Sequence, residues 1–129
     1  MKLFASVRAP FELAQSLAFM RRFPPCRQGL IIEDARVTAA LAIGGRAVAF
    51  TVSAGERGLI VEVDDDVAPA AAALVVERAR QWLSADDDLG GFYAAATGDD
   101  ACFRGVVAML TGCTTCGSGR WRRSRCTRC

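Results

Sequence analysis

The sequence predicts an α+β fold. It is expected to be a two-layer sandwich in which a five-stranded antiparallel sheet carries two helices, in the order β-α-β-β-β-β-α, followed by short helices and an irregular tail. Three observations predict it. Four short segments of alternating apolar residues follow one another with only turn residues between them, which is the pattern of a meander. Two segments with apolar residues at helical spacing bracket that meander. The chain has 129 residues, of which 52% are hydrophobic and 23% charged, enough for one core and too apolar for a disordered chain.

Residues 2–8 (KLFASVR) alternate loosely and read as the first strand. Pro10 is placed to open a helix, because its fixed φ suits the first turn. Leu13, Leu17 and Met20, with Ala14 and Ala18, then recur at helical spacing. Pro24 and Pro25 end that helix, since neither can donate a backbone hydrogen bond. The second strand is read at Leu30–Glu33, with a tight turn at Asp34-Ala35. Val37, Ala39, Leu41 and Ile43 mark the third strand, and Gly44-Gly45 supplies the positive φ angles of a two-residue hairpin. Val48, Phe50 and Val52 mark the fourth strand, residues 55–58 (GERG) the next turn, and Leu59, Val61 and Val63 the fifth strand. Asp64–Asp66 are expected to favour the start of the following helix through its dipole.

That helix is expected over Pro69–Leu83, with Ala71, Leu74, Val75, Arg78 and Trp82 on one face. Meandering strands leave one sheet face to be covered, so both helices are expected on it. The expected core includes Leu13, Leu17, Leu41, Phe50, Val61, Leu74, Val75 and Trp82. Asp86–Asp88 close this unit. Two further helical faces follow, one of Leu89, Phe92, Tyr93 and Ala96 and one of Phe103, Val106, Val107 and Leu110. They are expected to begin a separate structural layer.

Charge divides the chain. Of its sixteen basic side chains five lie in residues 113–129, so residues 1–112 hold eleven against all fourteen acids, a net of −3. The tail carries +5, from Arg120, Arg122, Arg123, Arg125 and Arg128. A uniformly basic nucleic-acid face on the body is therefore not supported. The chain contains no His, which removes His acid–base catalysis and His metal ligation. No run of about 18 apolar residues is present and the start does not read as a signal peptide, so a cytoplasmic protein without a membrane partner is expected. Cys26 and Cys102 stand alone and suggest no disulfide framework. The Asp triplets read as solvated charges at helix ends and linkers, and Gly44-Gly45 as a turn, not a phosphate loop, because no helix start follows it.

Residues 11–29 (FELAQSLAFMRRFPPCRQG), 43–52 (IGGRAVAFTV), 79–95 (ARQWLSADDDLGGFYAA) and 103–112 (FRGVVAMLTG) resemble, in order and spacing, the amino-terminal run of bacterial DNA-3-methyladenine glycosylases II. The resemblance covers roughly residues 2–112. It implies that residues 1–85 form that family's non-catalytic domain, which shares the fold of one half of the TATA-box-binding protein, and that 86–112 start the helical catalytic domain. In that family the catalytic domain grips DNA with a helix–hairpin–helix, flips out a damaged base and cleaves its glycosidic bond beside a catalytic Asp. No Asp or Glu follows Gly112. No catalytic residue is therefore carried over, and no cofactor is implied. The resemblance predicts a truncated, inactive relative of a base-excision-repair enzyme. Damaged DNA would be the partner of the intact enzyme, bound weakly or not at all by this chain.

The tail admits two accounts. Cys113-x-x-Cys116 and Cys126-x-x-Cys129 have the form of a four-cysteine zinc ribbon, since two thiolate knuckles complete a tetrahedral site. Trp121 and the five Arg between and beside them would suit nucleic acid or a protein partner, making the chain a small non-enzymatic regulator. The other account is a frameshift. The family's usual continuation, Leu-His-His-Val-Arg-Phe, written CTG CAC CAC GTG CGG TTC, yields Cys-Thr-Thr-Cys-Gly when read one base later. Likewise Glu-Glu-Pro-Leu-Tyr-Ala-Leu-Leu, written GAG GAG CCG CTG TAC GCG CTG TTG A, yields Arg-Ser-Arg-Cys-Thr-Arg-Cys and a stop, the sequence Arg123–Cys129. One lost base after Gly112 accounts for the cysteines, the arginines and the missing acids together. On this account residues 113–129 are expected to lack a fixed fold, because they hold almost no apolar side chains to offset backbone ordering.

Overall fold

A computed structural model describes residues 1–96 and 101–112 of the chain. The elements are β1 (Lys2–Ser6), α1 (Leu13–Arg22), α2 (Pro24–Arg27), β2 (Ile31–Glu33), β3 (Arg36–Ile43), β4 (Arg46–Gly55), β5 (Gly58–Val63), α3 (Pro69–Trp82), α4 (Gly90–Ala96) and α5 (Ala101–Leu110). The five strands form one antiparallel sheet in the order β1-β5-β4-β3-β2. The fold is thus α+β, as the meander predicts, with β1 returning to pair with the last strand of the meander.

Turn chemistry sets the register. Gly44 and Gly45 both have positive φ, 56° and 79°, which closes β3 onto β4 with Ile43 opposite Arg46. From that pair outward, Leu41 faces Val48, Ala39 faces Phe50 and Val37 faces Val52. Odd-numbered residues of β3 and β5 and even-numbered residues of β4 therefore share one face. On that face Val37, Val52, Val61, Leu59 and Phe50 are buried, together with Ala5 of β1. Leu13, Leu17 and Met20 of α1 and Ala72, Val75 and Ala79 of α3 join them in one core cluster. Trp82 packs edge-on against Phe50 at 6.5 Å between ring centroids.

Several expectations are corrected and one is extended. Pro10 does not open α1: the helix starts at Leu13 after an extended Glu12, and Pro10 lies in the preceding turn. Pro24 and Pro25 end α1 at Arg22, and they then open the single turn α2, where a missing N–H costs nothing. Asp64–Asp66 do not charge the first turn of α3, which holds no acid. Asp65 instead pairs with the Met1 amine. Leu74 is not core: it is 40% exposed, and the buried line of α3 is Ala72, Val75, Ala79. The small side chains of α3 face the sheet because they let the helix axis approach it closely, and this turns Leu74 to the flank. Leu41 and Trp82 are half-buried at the rim of the core rather than within it.

No helix among the described residues is long and apolar enough to cross a membrane.

Candidate functional site

Two regions of the described chain concentrate polar geometry: the junction where the sheet unit meets α4 and α5, and the open face of the sheet.

The junction is built from backbone. After α3 the chain turns at Leu83–Ala85, all three buried, and the Ala85 carbonyl accepts the Arg8 N–H at 2.7 Å. The Arg8 guanidinium reaches the Asp88 carboxylate at 2.8 Å, and the other Asp88 oxygen accepts the Gly90 N–H at 3.0 Å as α4 begins. At the far end of α5, Gly112 takes φ +86°, the left-handed conformation that ends helices. Its carbonyl accepts the Glu12 N–H at 2.9 Å, a donor that α1 leaves without a partner in its first turn, and its N–H donates to the Tyr93 hydroxyl at 3.1 Å. A Cβ at position 112 would lie 2.6 Å from the Glu12 Cβ. Only glycine permits both the φ and the approach.

This junction docks α4 and α5 by their ends while leaving their faces open. Phe92, Phe103, Val106, Met109 and Leu110 are exposed, Met109 to 75%. Arg104 is the single charged residue of α5. A helix of this composition is ordinarily covered.

The open face of the sheet carries Lys2 and Phe4 of β1, Thr38, Ala40 and Ala42 of β3, Ala47, Ala49, Thr51 and Ser53 of β4, and Ile60 and Glu62 of β5. A shallow depression of about 250 Å³ lies at its β1 end, lined by Lys2, Thr38, Thr51 and Glu62 among others. The Thr38 and Thr51 hydroxyls bond each other at 2.8 Å, which uses up their polarity locally. Lys2 Nζ donates to Glu62 at 2.7 Å. That hydrogen bond, with the Lys2 charge, holds the Glu62 carboxyl below its usual range. The Met1 amine does the same for Asp65. Nothing here aligns a nucleophile with a base or a carboxylate with a substrate-sized cavity.

No catalytic residue is expected from the sequence, and among the described residues no group of three His, Cys, Asp or Glu side chains is placed to hold a metal. Of the Asp triplets, Asp86 pairs with Arg80 and Asp88 with Arg8, so these charges serve ion pairs at element ends. Cys26 is half-buried against the core and Cys102 is exposed. The zinc-ribbon candidates Cys113, Cys116, Cys126 and Cys129 lie outside the described residues, as does the whole segment on which the frameshift account rests. Sequence reasoning missed Arg8, Glu12, Tyr93 and Gly112 as junction residues. The one local signal was the glycine just beyond an apolar helix. Its partner, a hundred positions earlier, is invisible to any periodicity.

Comparison with protein-family models, curated proteins and solved structures finds no match to this chain.

Proposed function

We propose that residues 1–85 act as a non-catalytic scaffold domain of the kind that precedes the helical catalytic domain in DNA-3-methyladenine glycosylases II. On this reading residues 86–112 open that second, helical layer. The observation that carries the reading is the junction. An α+β unit with the expected element order passes through Asp86–Asp88 into two apolar helices whose ends are pinned to it by Arg8–Asp88 and Glu12–Gly112, while their faces remain uncovered. That is what the first turns of a larger helical core need: a fixed orientation and an apolar face for the helices that pack next.

The resemblance carries no catalytic residue over to this chain, and residues 1–112 have a net charge of −3. The chain is therefore expected to release no 3-methyladenine from methylated duplex DNA above a heat-killed control. Enzyme-dependent release with multiple turnovers would overturn the scaffold reading. The same reading predicts that the coding DNA beyond Gly112, read in the frame one base over, encodes a helix–hairpin–helix and an Asp-bearing loop. The paired CxxC spacing favours the second reading, a zinc-ribbon regulator that binds nucleic acid or a protein, and zinc content separates the two.

A further inference from the structure

Among the described residues, the β3 edge of the sheet is one that no strand covers and no charge guards along its free length. β2 pairs with only three residues of β3, through Ile31–Thr38, Ile32–Val37 and Glu33–Arg36. Beyond Thr38, β3 runs on for five residues to Ile43 with β4 on one side and, among the described residues, no strand on the other. The register fixes which groups this exposes. Ile43 and Arg46 close a two-residue hairpin and exchange hydrogen bonds, so the odd-numbered residues of β3 bond to β4 and the even-numbered ones point away from it. Thr38 meets Ile31 of β2. Among the described residues the N–H and C=O groups of Ala40 and Ala42 meet no strand, and both residues are exposed.

Edges of this kind are usually blunted by charge, proline or shortness. β1 carries Lys2, and β2 has three residues ending in Glu33. β3 has no such guard, because no charged residue lies between Arg36 and Arg46. The chain ahead of β2 bends at Gly29, φ +77°, and Leu30 and Cys26 both pack against the core.

We propose that this edge is a self-association surface, at which two copies of the chain pair β3 with β3 antiparallel about a two-fold axis at Ala42. The occupant is a second copy because the notch and the strand fit each other. With Ala42 opposite Ala42, Ala40 faces Gly44 of the other copy, and the partner's hairpin turn ends level with Ala39, one residue short of the place where Ile31 occupies the edge. The outward groups of Ala42 then bond each other twice, and Ala40 lies opposite Gly44, where the other copy's turn begins. On the helix-side face Leu41 falls opposite Ile43 of the other copy; both are half-buried in one chain and would close over each other. On the open face the side chains at the seam are alanine methyls, which obstruct nothing. The contact is isologous, so it stops at two copies and joins two five-stranded sheets into one of ten strands.

The proposal is independent of the scaffold reading, since it uses only β2, β3 and the turn. Sedimentation of the whole chain under reducing conditions tests it. The mass is expected to rise with concentration from 13.7 kDa towards twice that value. Ala42→Lys and Ala42→Glu place like charges opposite each other across the axis, and each variant should stay at the single-chain mass. An equimolar mixture of the two should associate again, which also shows that both variants are folded. A wild-type chain that remains a monomer at about 1 mM, the weak end of specific association, overturns the proposal. So does a dimer that persists in Ala42→Lys, or one that Met109→Lys on the apolar face of α5 abolishes while the Ala42 variants leave it intact.

Discussion

Single residues in this molecule matter most where backbones approach. Gly58, opposite Ser6 at the seam of β1 and β5, would place a Cβ 2.3 Å from the Ala5 carbonyl oxygen, so β1 can pair along its length only because this position has no side chain. Gly112 plays the same part between α5 and Glu12. The β1–β5 seam also carries an ion pair between strands, Lys2–Glu62. Lys2 holds Glu62 below its ordinary carboxyl range by a hydrogen bond and by charge, with Arg36 adding to it from a distance. A carboxyl whose pKa is lower folded than unfolded stabilises the fold above its unfolded value, and that contribution is lost as pH falls through the folded value. The melting temperature is therefore expected to fall as pH drops below about 4, the carboxyl range. Glu62→Gln should make that acid-side decline shallower, because the uncharged amide has no proton to take up. The effect is modest, since the pair is solvent-screened. An unchanged acid limb in Glu62→Gln would show that the Lys2 contact does not persist in solution.

At the scale of elements, the hairpins and the phase of α1 were legible and the phase of α3 was not. Gly44-Gly45 specifies its turn through chain stereochemistry alone, and once that turn is fixed, alternation in β3 and β4 decides which side chains enter the core. The phase of α3 was misread because Ala70–Ala73 and Ala79 make the helix apolar on several sides. Large side chains mark a face more visibly than small ones, so Leu74 drew the expectation. The packing is decided by the reverse criterion, since alanines allow the closest approach to a flat sheet. A pair of substitutions checks the observed phase. Leu74→Lys should cost about 1 kcal/mol or less, because its aliphatic stem can lie on the surface Leu74 covers while the ammonium stays in water. Val75→Lys one position on should unfold the domain, because Val75 is fully buried and an unpaired charge there costs several kcal/mol. Denaturant midpoints read both, and equal losses would return Leu74 to the core. Pro10 was misplaced for a related reason: its fixed φ suits a helical first turn and an ordinary turn alike, and the side chains that follow do not decide between them.

For the whole molecule, the distribution of charge and cysteine frames the two accounts of residues 113–129, and it was fully legible because it needs no structure. The junction that anchors α4 and α5 was not, since the Glu12–Gly112 contact joins residues a hundred positions apart. A zinc ribbon gains its fold from four metal–thiolate bonds, worth on the order of 10–16 kcal/mol in isolated knuckles. Against this, the segment offers Trp121 as its one large apolar side chain, and it has five Arg with no acid among them. Those charges repel one another, although four thiolates on a zinc would carry two net negative charges and draw some of them in. The balance depends on whether the two CxxC pairs were shaped for a metal. On the frameshift account they were not, and Gly117-Ser118-Gly119 and the arginines between them carry no selected knuckle geometry. The chain purified under reducing conditions is therefore expected to hold far less than one zinc by mass spectrometry, and no more than a chain ending at Gly112. One tightly held zinc in the full chain, lost when residues 113–129 are removed, would reject the frameshift account. It would also move the functional reading from half of a repair enzyme to a metal-stabilised binding protein.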